Sequence, residues 1–308
     1  MDYSLGLGLR SFIQTDILKY LKSSYEECLI ECIEIVPENY INRPESQLQI
    51  LKEIKNLGKL IIPHSVNLSI GTAYNSSYRE DCDKELIKSL KEFFRIIDPP
   101  WFSDHISCTR IEGVYIPELL PIPFIKESVS VIVDNIKFLE DEFQLPFLIE
   151  NPSYYSTLIE AEMSEADFIN QILDKADCGL LLDINNIYVN SQNHNYDALA
   201  FLKSLDLKRT KQIHIAGHLD DYQAHLSKRN LKVLDTHGNA IKKEVYDLLE
   251  ELISCKAFHE SFFDSGFKNS SKAIILERDS NFPEFSEILD ELGQIKEILV
   301  KEKCQQIN

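Results

Sequence analysis

Seven places along the chain set a side chain able to bind a metal just after a short apolar run: His64, His105, Glu150, Asp183, His214, Glu277 and the Asp235/His237 pair. Imidazole and carboxylate donors with no cysteine among them suit iron, manganese or zinc better than copper(I) or an iron–sulfur cluster. One His or Glu at a strand end is ordinarily a hydrogen-bonded structural group. Six such patterns, IIPH, FSDH, FLIE, LLLD, QIHI and IILE, reverse that reading. Ionisable groups converging on one rim in such number would be costly without cations to offset them. Glu150, in the middle of the order, is placed to bridge two ions, so at least a dinuclear site is expected. Asp235 and His237, in LDTHG, would chelate a further ion from a loop, and Asn186 completes that set.

Eight apolar, β-rich runs position these groups: YSLGLGL from Tyr3, LIECIEIV from Leu29, LIIP from Leu60, WFSDH from Trp101, PFLIE from Pro146, GLLLD from Gly179, QIHIA from Gln212 and AIILE from Ala273. Helix-like stretches alternate with them over 16–24, 45–56, 84–97, 125–142, 164–175, 196–204, 241–254 and 284–301. In the fifth, Ser164 is expected to cap with Asp167 three residues on, with Phe168, Ile169, Ile172 and Leu173 as one apolar stripe. Strands apolar throughout, such as GLLL, fit a parallel sheet covered on both faces. Eight alternating units predict an α/β fold, a (β/α)8 TIM barrel, as one domain over 1–308. Side chains at strand C-termini then face the catalytic mouth. Two connections exceed what a barrel needs, 106–124 with the Pro-rich ELLPIPF and 217–236, and long loops there shape or cover a pocket or pack only locally.

Bulk properties limit the partners. The 308 residues are 44% hydrophobic and 27% charged, with 32 Lys and Arg against 50 Asp and Glu, a net charge of −18. Such a surface repels phosphate backbones, so nucleic acid is not the expected partner, whereas a basic leader peptide is compatible. The seven cysteines are odd in number and the start, MDYSLGLGLRSF, lacks a signal-peptide pattern, which points to the cytoplasm. No window approaches a membrane span. Cys28 and Cys32, four apart in a strand-like run, would share one strand face and suit core packing rather than zinc.

Other residues earn weaker readings. Asp104 and Asn151 neighbour expected ligands and are read as orienting them. His218, in HIAGH, is either an acid–base or orienting group or a satisfied structural histidine. Glu38 and Asn39 end the second strand and are expected to line the pocket. Arg10 would anchor a substrate carboxylate or pair with Glu38.

The strings GLGLR, ENY, HSVNLSIG, SDHIS, ELLPIPF, IENPSYY, LLDINNIYV, IHIAGH, LDTHG and LERDSNFP, from Gly6 to the last helix, resemble the DUF692 family, the multinuclear non-heme iron-dependent oxidative enzymes. The resemblance implies a barrel related to xylose isomerase and endonuclease IV that holds two or three non-heme irons, mixed-valence Fe(II)/Fe(III). By position it implies His64, His105 and Glu150 for one ion, a bridging Glu150 with Asp183, His214 and Glu277 for the second, and Asn186, Asp235 and His237 for the third. It further implies O2 as co-substrate, a ribosomal precursor peptide modified at cysteine, and in many members a separate leader-binding partner protein. Many relatives carry Trp where LERD has Arg278, which leaves the subfamily and product open.

Rival readings are separable. A metal-dependent phosphodiesterase of the endonuclease IV type needs a basic groove, which this acidic chain does not offer, and carries a histidine where Asn186 stands. A sugar isomerase needs a lysine beside the metals, and no Lys falls at a strand end. A metal store would be expected to close its site, whereas a barrel mouth stays open.

Overall fold

The structure is a computed structural model that describes residues 3–23, 28–73, 84–111, 114–156, 161–220, 233–260 and 271–307, without the side chains of 45–47 and 303–307. All eight expected strands form: β1 (Tyr3–Gly8), β2 (Cys32–Ile35), β3 (Leu60–Pro63), β4 (Phe102–His105), β7 (Phe147–Glu150), β8 (Gly179–Asp183), β9 (Thr210–Ile215) and β12 (Lys272–Leu276). Four further strands lie in connections: β5 (Cys108–Ile111) with β6 (Val114–Leu120), and β10 (Leu219–Asp220) with β11 (Val233–Leu234), each pair antiparallel. Hydrogen-bonded neighbours among the eight run β3-β2-β1-β12-β9-β8-β7-β4.

The chain divides into two compact units. Unit one is Met1–Glu34, Leu182–Asp264 and Ser270–Asn308, and unit two is Ile35–Leu181 with Ser265–Asn269. In unit one, parallel ladders join β2 to β1, β1 to β12 and β12 to β9. Gly6 of β1 is required there, because a Cβ would sit 2.5 Å from Cys32 Sγ and 2.6 Å from its carbonyl oxygen. In unit two, β4 pairs with β7 and β7 with the start of β8. Leu180, Leu181, Phe147, Leu148 and Ile149 are fully buried, as strands apolar on both faces must be.

Helices match the periodicity. The helix Lys84–Ile97 buries Ile87, Leu90, Phe93, Phe94 and Ile97, one stripe on a 3.6-residue period. The helix Glu165–Ala176 begins as expected: the Ser164 hydroxyl oxygen accepts the Asp167 N–H at 3.1 Å, and Phe168, Ile169, Ile172 and Leu173 are buried. One long helix was not expected, Ile184–His194 (INNIYVNSQNH), whose Asn185, Asn186, Asn190 and Ser191 are buried along with its apolar residues. A polar helix enclosed on most faces carries little amphipathic signal. Among the described residues no helix is long and apolar enough to cross a membrane.

The cysteine expectation is half corrected. Cys32 opens β2, is fully buried and donates its thiol to the Ser4 carbonyl, but Cys28 lies before the strand and donates to the Ile30 carbonyl at 3.2 Å. The two therefore do not share a strand face. Of the two long connections, 106–124 folds into the β5–β6 hairpin and the proline-rich segment after it, and 221–232 of the second lies outside the described residues.

Burial gives one carboxyl a pH-dependent cost. The Glu165 carboxylate accepts the Tyr154 hydroxyl at 2.8 Å, and desolvation, only partly offset by that bond, pushes its pKa up to about 7. A raised acid pKa makes the native state bind the proton more tightly than the unfolded chain. Stability from this group is thus present below the unfolded value and lost as pH rises through about 7. Glu165→Gln is expected to be near neutral at about pH 5 and to stabilise at about pH 8 by roughly 1–3 kcal/mol. Urea midpoints at the two pH values check it, and equal midpoint changes at both would contradict it.

Candidate metal centre

Unit two brings His64, His105 and Glu150 together. His105 and Glu150 are Cα partners at the ends of β4 and β7, and His64, one residue past β3, bridges to Ser103 of β4. Both imidazoles present Nε2 to the same oxygen, Glu150 Oε2, at 3.0 Å for His64 and 3.3 Å for His105. Their ring centroids are 4.6 Å apart. One ligand atom from each residue lies within 4.8 Å of the others, a set able to hold one ion. His64 and Glu150 are buried and His105 is slightly exposed, so the cluster is reachable on one side.

The opposite ring nitrogens are oriented from behind. His64 Nδ1 meets the Ser103 hydroxyl at 2.9 Å and His105 Nδ1 lies 3.3 Å from Asp104 Oδ1. A metal-bound imidazole needs this second partner, because it fixes tautomer and ring plane. Asp104 is fixed in turn by the N–H groups of His105 and Leu68, at 2.6 and 2.7 Å. Asp104 thus lies beside the His105 ring as expected, while Ser103 had no signal beyond its place in FSDH. Ser103→Ala should weaken metal binding at this cluster by about 10- to 100-fold. Chelator competition measures it, and an unchanged affinity would show His64 to be oriented by other contacts. Asn151 is buried next to Glu150 in the chain.

Glu38 and Asn39 do not end a strand. β2 stops at Ile35 and they form a short 3-10 turn, Pro37–Asn39. The Glu38 carboxylate accepts the Ser65 hydroxyl and the Val66 N–H, tying down the chain just past His64, and burial pushes its pKa up against those bonds. Asn39 is exposed and donates its backbone N–H to the Val36 carbonyl.

Unit one gathers a second, more acidic set. Glu277, one residue past β12, turns Oε2 toward His214 Nδ1 at 3.2 Å and His237 Nδ1 at 3.1 Å. Its Oε1 accepts from Arg10 at 3.3 Å, and Arg10 Nε also donates to Asp279 at 2.6 Å. Arg10 thus pairs through Nε and Nη2 with Asp279 and Glu277, and not with Glu38. His214 Nε2 is 2.7 Å from Glu34, which also accepts from Gln212. Glu34 and Asp279 were missed; the signals available were a glutamate inside the apolar run CIEIV and an acid two past Glu277 in LERD.

Asp183 ends β8 and caps the following helix, its Oδ1 accepting the Asn186 N–H at 2.7 Å, while Oδ2 lies 3.9 Å from His237 Nε2. Asp235 Oδ1 is 2.8 Å from His237 Nε2. Of the expected third set, His237 converges with Asp183 and Glu277 as well as with Asp235, and Asn186 donates its backbone N–H to Asp183. His237 adopts a φ of 44°, uncommon for a non-glycine residue, and Asp279 N–H holds its carbonyl at 2.8 Å.

His218 is fully buried and stacks on Tyr188. Its Nδ1 lies 2.9 Å from Asn185 Oδ1, and Asn185 Nδ2 donates to Asp235 Oδ1 at 2.9 Å. Because the amide oxygen only accepts, His218 carries its proton on Nδ1. Burial, helped by Lys242, lowers its pKa to about 4, so at neutral pH it is uncharged and orients Asp235 through Asn185. The orienting reading of His218 is the one its contacts favour.

The charge balance tests whether these residues fit a metal. Among the described residues, the fixed cation paired within the set Glu34, Asp183, Asp235, Glu277 and Asp279 is Arg10, so five carboxylates less one guanidinium leave a formal charge of minus four when the imidazoles are neutral. Burial works against charging His237, yet Asp235 and Glu277 raise its pKa well above the ordinary value. Desolvation likewise works to raise Glu277, but His214 and His237 hold it well below the carboxylate range. Such a set favours bound cations, and its nitrogen and oxygen donors fit a divalent or trivalent transition metal.

Residues 4–300 match the family described as RiPP precursor modification enzyme MbnB/TglH/ChrH. The chain belongs to this family. Its relatives include UPF0276 proteins of Shewanella oneidensis, 34% identical over 94% of this chain and 92% of theirs, and of Haemophilus influenzae, 31% identical over 96% and 94%. Solved structures with the same fold include the 3-keto-D-glucoside 4-epimerase of E. coli (TM-score 0.57, 12% identity, 96% of this chain and 99% of that one). Endonuclease IV of Thermus thermophilus is another (TM-score 0.55, 14%, 98% and 100%). The MbnB/TglH/ChrH member described here therefore has the expected fold, an eight-stranded parallel α/β barrel of the xylose isomerase-like and endonuclease IV-like type.

Proposed function

We propose that this enzyme binds two or three non-heme irons and uses O2 to oxidise a cysteine of a ribosomally made precursor peptide. The observation that carries it is the meeting of His64 and His105 on one oxygen of Glu150, each imidazole oriented from behind and the cluster reachable on one side. Membership of a family of precursor-peptide modifying enzymes supports the peptide as substrate. Iron, when bound, would supply redox chemistry and lower the pKa of a coordinated thiol. The protein's own groups do the rest. Ser103 and Asp104 fix the imidazoles of unit two, Arg10 and Glu34 fix Glu277 and His214, and Asn185 fixes Asp235. A separate leader-binding partner and a cytoplasmic setting belong to the same reading, and the net charge of −18 suits a basic leader. Likeness to epimerases and an endonuclease at 12–14% identity concerns the fold alone.

The test is aerobic incubation of the Fe(II)-loaded enzyme with short cysteine-containing candidate precursor peptides. A mass change on the cysteine residue is expected. An unchanged peptide, with or without a neighbouring partner protein, would overturn the reading.

A further inference from the structure

Unit two contains a cavity of about 90 Å³ whose walls include Ile106, Ile122, Phe124, Pro152, Phe168 and Ile169. Two of these walls are chain neighbours of the metal cluster: Ile106 follows His105, and Pro152 lies two residues past Glu150. The strands that deliver two candidate ligands therefore run directly into the cavity wall. Phe168 and Ile169 come from the helix Glu165–Ala176, and Ile122 and Phe124 from the proline-rich segment after the β5–β6 hairpin. Pro152 and Phe124 are half-buried, so the cavity opens to the surface.

Size and lining narrow the occupant. Pockets for small molecules begin near roughly 300 Å³, and a cavity of about 150 Å³ takes up benzene. At about 90 Å³ this one holds a single branched aliphatic group and no ring. Its polar walls are Ser153, Tyr154, Ser156 and Glu165, whose carboxyl already accepts the Tyr154 hydroxyl. Burial keeps that carboxyl protonated up to about pH 7, so the wall offers a cation little attraction.

We propose that this cavity is a specificity pocket that takes one aliphatic side chain, of leucine or valine type, from the peptide whose neighbouring residue is presented to His64, His105 and Glu150. The assignment rests on the peptide-modifying reading above and adds to it the side-chain class that the enzyme selects. The hairpin and its proline-rich exit, an addition to the eight-unit barrel plan, exist in this view to build the outer wall of the pocket.

The test uses the full chain loaded with zinc as a diamagnetic ion, with isoleucine methyl resonances read by NMR. N-acetyl-leucine amide, N-acetyl-alanine amide and N-acetyl-lysine amide are the probes. The leucine probe should shift the methyls of Ile106, Ile122 and Ile169 saturably, and bind roughly 10- to 100-fold more tightly than the alanine probe, the ratio expected for burying a few more carbon groups. Ile169→Phe should abolish the shifts while the remaining spectrum stays folded. Ile122→Ala should make N-acetyl-phenylalanine amide bind at least as well as the leucine probe, which a filled or collapsed site would not do. Equal shifts from leucine and lysine probes, or none from leucine, would overturn the pocket. An enzyme that oxidises its peptide but shows no leucine selectivity refutes only the pocket. Leucine-selective shifts with no peptide oxidation uphold an aliphatic pocket and refute the peptide-oxidising reading.

Discussion

Glu277→Gln is expected to lose at least one bound metal per chain and to reduce peptide oxidation by more than about 100-fold, beyond the 10- to 100-fold typical of groups that only orient ligands. The substitution keeps the shape of the side chain and leaves Oε1 able to accept from Arg10. What it removes is the charge that faces His214 and His237 through Oε2. The metal-free variant should be less stable than the metal-free wild type, since desolvation opposes the Glu277 charge but His214 and His237 more than offset it, so that charge stabilises the native state. Loading separates the two proteins. A metal in hundred-fold excess over its Kd stabilises the native state by about 2.7 kcal/mol, a melting rise of several degrees for a chain of this size. Wild type should show that rise and Glu277→Gln most of its loss. If the variant instead rises normally with metal, Glu277 is a structural partner of Arg10 and its histidines and not a ligand.

Metal affinity in unit one should climb about tenfold per pH unit through the neutral range, with close to one proton released for the ion that His237 binds. The sign follows from His237. Burial opposes its protonation, but Asp235 and Glu277 win and hold its pKa well above the ordinary imidazole value. At neutral pH the metal-free ring is therefore protonated, and a cation must displace that proton before Nδ1 or Nε2 can coordinate. Affinity falls as pH falls, and stops depending on this group only above its raised pKa. Chelator competition at pH 6, 7 and 8, with proton release followed in weak buffer, measures both numbers. His237→Gln should flatten the dependence. A wild-type affinity that does not change with pH would mean that His237 stays protonated in the loaded enzyme and is not a ligand.

The barrel strands were legible because each is a short apolar run closed by a polar or ionisable group, and LIIP followed by His64, FSDH and FLIE end where the apolar pattern stops. The candidate donors His64, His105, Glu150, Asp183, His214 and Glu277 were legible for the same reason, since each lies at or just past the end of a parallel strand, and His237 was legible from the loop motif LDTHG. What held those donors in place was not. Ser103 looks like any small residue within a strand, and Glu34 reads as a lone acid in a β-run, yet one hydrogen-bonds His64 and the other His214. Asn185 belongs to the helix Ile184–His194, which an amphipathic search passes over because its polar side chains are buried. Arg10 was read as anchoring a substrate carboxylate or pairing with Glu38, whereas the β1–β12 pairing sets it beside Glu277 and Asp279. Pairing partners across a sheet are long-range facts that neither periodicity nor spacing encodes. The β5–β6 hairpin was hidden by the prolines of VYIPELLPIPF, which demote a run to loop or edge strand, and an edge ribbon is what forms.

The most direct test of the account is metal content with electron paramagnetic resonance on protein purified without added metal and then aerated. Two to three irons per chain with a mixed-valence signal are predicted, falling in Glu150→Ala and in Glu277→Gln. Zinc alone, with no iron retained and no resonance, would contradict the oxidative reading while leaving the barrel and its two ligand clusters in place.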